Sequence, residues 1–227
     1  MAFVEIFDSD FALPPKVCIL APGPNGKPHY DDIPDNYCVI ALNKAVFIPE
    51  VKIDVWLMNL YDQDWFEAAN EAFDGVRVFW RENEDCNDYT PEAEARLLAI
   101  QDTLCYYFKV VRPGLHILRK TPIPLEELVL RGILDGGTVT GAALQLALHF
   151  GARDVLLCGA DMSGDAYWDG TFSEQKNHGD IWSCTGDLNT LIRWMGRKHG
   201  ITVTTLSPTK LDVPYWSGSR ILEEQTR

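Results

Sequence analysis

Residues Gly136–Asp161 read GGTVTGAALQLALHFGARDVLLCGAD, and this stretch decides the fold. It divides into a polar Gly/Thr loop, an apolar helix, a short turn and a buried strand that ends in Gly-Ala-Asp. A loop of small residues opening a helix presents backbone N–H groups and the positive end of the helix dipole, which suits an anion such as phosphate. DVLLCG is continuous and apolar, the pattern of a parallel strand covered on both faces. Asp161 then falls just past the carboxyl end of that strand, where open α/β sheets bind their ligands.

Outward from this stretch, strands are expected at Lys16–Ala21, Tyr37–Leu42, Ile53–Met58, Val76–Trp80, Leu115–Leu118, Asp154–Gly159 and Ile201–Thr205. Thr90-Pro91-Glu92 combines a cap, a proline at the first helical position and an acid in the first turn, so a helix is expected from there through Leu97, Ile100 and Leu104. A second helix carries Leu188, Leu191, Ile192 and Met195 on one face and stops before Gly200. Strands alternating with helices predict an α/β fold: a Rossmann-like, mostly parallel sheet with helices on both faces. Residues 163–186 (SGDAYWDGTFSEQKNHGDIWSCTG) are polar, Gly-rich and aromatic without an apolar period, as in a lid inserted into the domain. The tail after Ser207, with Pro214, Tyr215 and Trp216, reads as a loosely packed extension.

The chain has 227 residues, 46% of them hydrophobic and 23% charged, which fits one soluble domain spanning 1–227. A net charge of -13 argues against nucleic acid or an anionic membrane as the main partner, because both require basic surface. Its six cysteines show no CxxC spacing, and Cys18, Cys38 and Cys158 sit inside expected strands as small hydrophobes. With no secretory signal before the first strand and no apolar run long enough to span a bilayer, a cytoplasmic protein with reduced thiols is expected, compatible with a homo-oligomer.

The first strand runs into Ala21-Pro22-Gly23-Pro24-Asn25-Gly26, and the second ends at Ala41-Leu42-Asn43-Lys44-Ala45. With the Thr140-Gly141 helix start and the Gly159-Ala160-Asp161 strand end, this order resembles the bacterial sialyltransferases of the Campylobacter type and the superfamily around them. That superfamily also includes archaeal hydroxymethylpterin diphosphokinases. In the sialyltransferases a strand leads into Gly-x-Gly-Pro-Ser, a second strand ends in Asn, a Ser-Gly loop opens a helix, and a Gly-x-Asp strand end precedes a lid with tyrosines. The resemblance implies that Gly23, Pro24 and Asn25 form the first nucleotide-contacting loop, with Asn25 standing where the family has Ser. It implies a nucleotide contact for Asn43 and equates Thr140 and Gly141 with the Ser-Gly pair. Asp161 matches the acid after the strand, and Tyr167 falls near a lid tyrosine that holds the leaving phosphate. Ser163 takes the place of the other tyrosine. The family's catalytic histidine precedes a helix. Aligned on Gly186-Asp187, this chain has Trp182 or Ser183 there, and His178 lies close enough to serve with a small change in lid length.

The activity implied is transfer of a sugar from a nucleotide-activated donor, first of all a CMP-linked acidic sugar, to an unknown acceptor without a metal cofactor. Such a transfer needs a cradle for the nucleotide, stabilisation of the leaving phosphate and a base for the acceptor hydroxyl. An ordinary imidazole pKa near ~6.5 suits His178 to that last task, although a solvated loop histidine would look the same. His149 within an amphipathic helix is expected to be structural, while His116 sits in a strand, His199 at a helix end near its favourable negative pole and His29 in a Pro-rich loop. Two other functions remain open. Asp54, Asp62 and Asp64 after the third strand, with Asp161, Asp165 and Asp169 after the sixth, could share Mg²⁺ for a diphosphokinase, or be ordinary acidic loop residues. A nucleotide-binding module without catalysis is the other. Trp56, Tyr61, Trp65, Trp168 and Trp182 could stack a base or sugar, or simply pack.

Overall fold

The computed structural model describes residues 3–58, 65–81, 105–111, 133–134, 138–162, 168–170 and 178–217. Its strands are β1 (Phe3–Glu5), β2 (Lys16–Leu20), β3 (Cys38–Leu42), β4 (Val55–Met58), β5 (Val76–Arg81), β6 (Cys105–Val111), β7 (Ile133–Leu134), β8 (Asp154–Cys158) and β9 (Thr202–Thr205). They lie side by side in the order β1-β6-β5-β4-β3-β2-β8-β9, with β7 beside β6, and every described pair is parallel. From β2 the chain steps outward through β3, β4 and β5 on one side, while β8 and β9 lie on the other. The strand order therefore reverses between β2 and β8.

Three α-helices are described: α1 (Phe66–Ala72), α2 (Val139–His149) and α3 (His178–His199). Side chains alternate across each strand, so each strand feeds two cores. Val17, Ile19, Ile40, Leu42, Leu57, Val155 and Leu157 pack with α2 and α3. On the opposite face, Cys18, Leu20, Ala41, Leu156 and Cys158 lie against Tyr30 and Ala45, which come from the 3-10 helices Pro24–Asp32 and Asn43–Phe47. Trp56, Met58 and Phe79 on that face meet Phe66 and Ala69 of α1. A sheet covered on both faces is what the unbroken apolar strands require. This is the α/β, Rossmann-like sheet with helices on both faces.

Six of the seven expected strands are present, with ends moved by a residue or two. The expected strand Leu115–Leu118 and the helix from Thr90 lie outside the described residues. Strands β1, β6 and β7 are additions. Helix α2 is not amphipathic: every residue from Val139 to Leu148 is buried, since α2 lies between the sheet and α3. Helix α3 begins at His178, two turns ahead of Gly186-Asp187, and Leu188, Leu191, Ile192 and Met195 are its buried side.

The tail also differs from expectation. Thr205 N–H donates to Pro214 O at 3.0 Å, Trp216 N–H donates to Thr205 O at 2.8 Å, and Tyr215 bridges to Thr205. The chain after Ser207 returns along the open edge of β9 and pairs with it, which covers an edge that would otherwise be free to aggregate.

Candidate functional site

The site is built from loops at the carboxyl ends of β2, β3 and β8. Gly23 leaves β2 and immediately meets the loop after β8: its N–H donates to Gly159 O at 3.0 Å. A Cβ on Gly23 would stand 2.2 Å from that oxygen and 2.7 Å from Asp161 Cγ, so only glycine fits. Gly159 has φ +71°, and a Cβ there would lie 2.3 Å from Ala21 O. Two glycines thus let the loops on either side of the strand-order reversal touch backbone to backbone.

Asp161 locks this contact. Its Oδ2 accepts from Asn25 N–H at 2.9 Å, at the start of the 3-10 helix where an external anion would otherwise be held. The N–H groups of Gly23, Asn25 and Gly26 are all donated within the protein. Asp161 is 5% exposed, and its Oδ1 has no hydrogen-bond partner among the described residues. Burial pushes its carboxyl above the ordinary range, partly opposed by the Asn25 N–H bond.

The segment after β9, absent from the expected site, braces the loop from behind. Ser207 Oγ accepts from Gly159 N–H at 2.8 Å, Thr209 Oγ1 donates to Ala160 O at 2.5 Å, and Lys210 N–H donates to Asp161 O at 3.2 Å. Asn25 Nδ2 reaches Pro208 O at 3.4 Å. The Ser207-Pro208-Thr209 triplet is a turn signal, but nothing in it points to a distant loop.

Asn43 opens the 3-10 helix after β3 with φ +46°, and Met162 follows Asp161 with φ +55°. Among the described residues these are the two non-glycines with positive φ, and both lie at the carboxyl edge, where backbone strain concentrates in functional sites. Trp56 Nε1 donates to Asn43 O at 2.9 Å and holds that backbone in place. Trp56 is fully buried, so it supports the site from within the core instead of offering a stacking face.

Helix α2 starts at the same edge, because its other end enters β8 through Gly151–Arg153. Thr138 caps it: Oγ1 accepts from Gly141 N–H at 3.2 Å, and so does Thr138 O at 3.0 Å. The Gly141 N–H is therefore already engaged. The Val139 and Thr140 N–H groups ahead of it have no acceptor within the helix. His178, at the first position of α3, stands at a helix N-terminus.

Of the segment 163–186 expected as a lid, the residues from His178 on belong to α3 instead, and Trp168–Gly170 lies against the site. Trp168 N–H donates to Pro22 O at 2.8 Å, and Asp169 Oδ2 meets Lys44 Nζ at 2.6 Å, joining this segment to the ends of β2 and β3. Ser163, Asp165 and Tyr167 lie outside the described residues, as do Tyr61, Asp62, Asp64 and His116.

The acidic cluster expected after the third strand is not assembled from Asp54. Asp54 precedes β4, at the amino edge of the sheet, and its Oδ2 accepts from Val39 N–H at 2.9 Å. It and Asp161 stand at opposite edges and cannot share one ion. No group of three His, Cys, Asp or Glu among the described residues is placed to hold a metal. His149 ends α2 against Phe7, His199 ends α3 against Trp194, and His29 bonds Asp32 at 3.2 Å. Cys18 and Cys158 are buried; burial pushes the Cys158 thiol up to about 12, away from reactivity.

No family model and no curated protein matches this chain. Among solved structures it is similar to the sialyltransferase CST-II in complex with a trisaccharide acceptor and CMP, at 14% identity over 93% of this chain and 89% of that one, with a TM-score of 0.52. A mutant of the α-2,3/8-sialyltransferase CstII is similar at 15% identity over 85% of this chain and 82% of that one, with a TM-score of 0.45. The shared feature is the Rossmann-like fold. No described helix is long and apolar enough to cross a membrane.

Proposed function

We propose that the carboxyl edge between β2, β3 and β8 binds a nucleotide-activated sugar, and that the protein is a glycosyltransferase-like enzyme. The observation that carries this reading is Asp161, with one oxygen holding the Gly23–Asn25 loop and the other buried without a described partner at the strand-order reversal. A nucleotide's ribose hydroxyls or base amino group would donate to that second oxygen. The fold it shares with a structure that contains CMP makes CMP the first nucleotide to test, and a CMP-linked acidic sugar the first donor.

In this reading Asn43 contacts the nucleotide from the β3 end, and the N-terminus of α2 at Thr140 faces the leaving phosphate. The Gly23, Pro24 and Gly141 positions shape the site instead of donating to the ligand. Tyr167 stabilises the departing phosphate, and His178 takes the proton of the acceptor hydroxyl. No metal is required for these steps.

A thermal-shift comparison of CMP, UDP, GDP, ADP and ATP, each with and without Mg²⁺, tests the reading. CMP should raise the melting temperature without Mg²⁺, in proportion to its excess over the dissociation constant. His178→Ala should bind CMP as the parent does and lose about 10²-fold or more in transfer. Stabilisation by ATP only with Mg²⁺ would replace this reading by phosphoryl transfer. CMP binding without transfer or donor hydrolysis would leave a binding module.

A further inference from the structure

A second concavity lies away from this site. It encloses about 470 Å³ between the exit of the 3-10 helix Pro24–Asp32, the start of β3 and the Glu50–Asp54 segment that leads into β4. That places it at the amino ends of β3 and β4, at the edge opposite Asp161. Its size is that of a pocket for a small organic molecule. We propose that this cleft binds a small organic ammonium ion, with its carbon skeleton on a floor of tyrosine and valine and its charge among the rim carboxylates.

Charge is the first argument. Asp31, Asp35, Glu50 and Asp54 line the cleft with one lining lysine, Lys52, whose Nζ lies 3.9 Å from Asp54 Oδ1, while Lys16 Nζ stands 5.6 Å from the centroid of the Tyr37 ring. An anion is repelled there, and a neutral molecule gains nothing from the rim. A bare metal ion lacks a described set of three ligands. The floor is the second argument: Val39, Tyr37 and Tyr30 are buried, with Ile33 and Val51 partly covered beside them. Aromatic and aliphatic side chains beneath a ring of acids match a cation that carries an apolar body.

The third argument is Tyr30. Tyr37 is already engaged, its hydroxyl donating to Asp154 Oδ2 at 2.5 Å. Tyr30 lines the same cleft, is 4% exposed, and its hydroxyl has no hydrogen-bond partner among the described residues. Burial above all, then Cys158, Glu50 on the rim and Asp161, push this phenol above its ordinary range. A buried hydroxyl without a partner is a deficit that a ligand can fill. An ammonium group can donate to Tyr30 Oη and to a rim carboxylate together.

The test is calorimetric titration of phenethylamine at pH 7 and about 0.15 M salt, beside phenethyl alcohol, its neutral counterpart. The amine should bind saturably at one site and the alcohol should not. The double variant Glu50→Gln/Asp35→Asn should weaken amine binding by about tenfold or more. The double variant Asp8→Asn/Asp10→Asn, which removes the same charge elsewhere, should leave it unchanged. Tyr30→Phe should bind the amine several-fold more weakly while melting no lower than the parent. Three results would each overturn the proposal: no saturable binding, equal binding of the alcohol, or equal weakening by the two acidic variants. The last would mean diffuse attraction to a chain of net charge -13. Parent-like binding by Tyr30→Phe would remove the hydroxyl from the site and overturn the role given to it.

Discussion

Asp161 ties two loops together with one carboxylate oxygen and keeps the other buried without a described partner. Its pKa is raised by burial, so the folded protein holds this proton more tightly than the unfolded chain. Stability from this group is therefore present at low pH and is lost as pH rises from 3.8 through the folded value. At pH 7 the charged form is a net burden. Asn at this position keeps an oxygen for the Asn25 N–H and removes the charge. Asp161→Asn is expected to melt at or above the parent at pH 7, with the difference shrinking on acidification, while nucleotide binding falls. A lower melting temperature at pH 7 would mean that the charge itself supports the fold. Gly23→Ala tests the other half of the contact. With backbone oxygen 2.2 Å from the new methyl, the two loops must separate, and a loss of about 1–3 kcal/mol in urea unfolding is expected. Sequence placed Gly23, Asn25, Thr140 and Asp161 at strand and helix ends correctly. It could not reveal that Asp161 bonds Asn25, because the two residues meet only when β8 lies beside β2.

At the scale of elements, α2 shows how burial changes the meaning of a residue. His149 ends this helix, where the dipole favours an imidazolium. Burial prevails and lowers its pKa from 6.5 to about 4. The unfolded chain therefore takes up a proton first, and stability falls as pH drops from 6.5 toward 4. His149→Phe, which can still pack edge-on against Phe7 at a centroid distance near the present 5.2 Å, should flatten that part of the stability–pH curve. Unfolding midpoints at pH 7, 6, 5 and about 4 check it, and an unchanged slope would place the acid sensitivity elsewhere. Strands β2, β3, β4 and β8 were readable because four to six apolar residues in a row have few other uses in a soluble chain, and β5 (VRVFWR) and β9 (TVTT) from their β-branched and aromatic composition. Strands β1 and β7 are too short to carry any period. Strand β6, CYYFKVV, has the aromatic and β-branched composition of a strand, but it follows Leu97, Ile100 and Leu104, whose helical spacing draws the eye past its start.

For the whole molecule, the returning tail matters most. Pro214–Trp216 hydrogen-bonds to β9, and Trp216 packs against the same core as Leu20, Cys158 and Leu206. Ending the chain after Val213 removes both backbone bonds and this indole, and should lower the unfolding free energy by about 2–4 kcal/mol. A truncated protein as stable as the parent would show that the tail only rests on the surface.

The sequence by itself determined the parallel α/β sheet and the glycine and asparagine loops at its carboxyl edge, because hydrophobic period and turn chemistry are local properties. Only the tertiary structure decided that Asp161 fills the anion position at the Asn25 N–H. It alone moved Asp54 to the opposite edge, brought Ser207–Lys210 behind the site, and left Tyr30 buried in a second cleft. Each of those facts depends on which strands lie side by side, and strand order is set by long-range packing that no stretch of sequence contains.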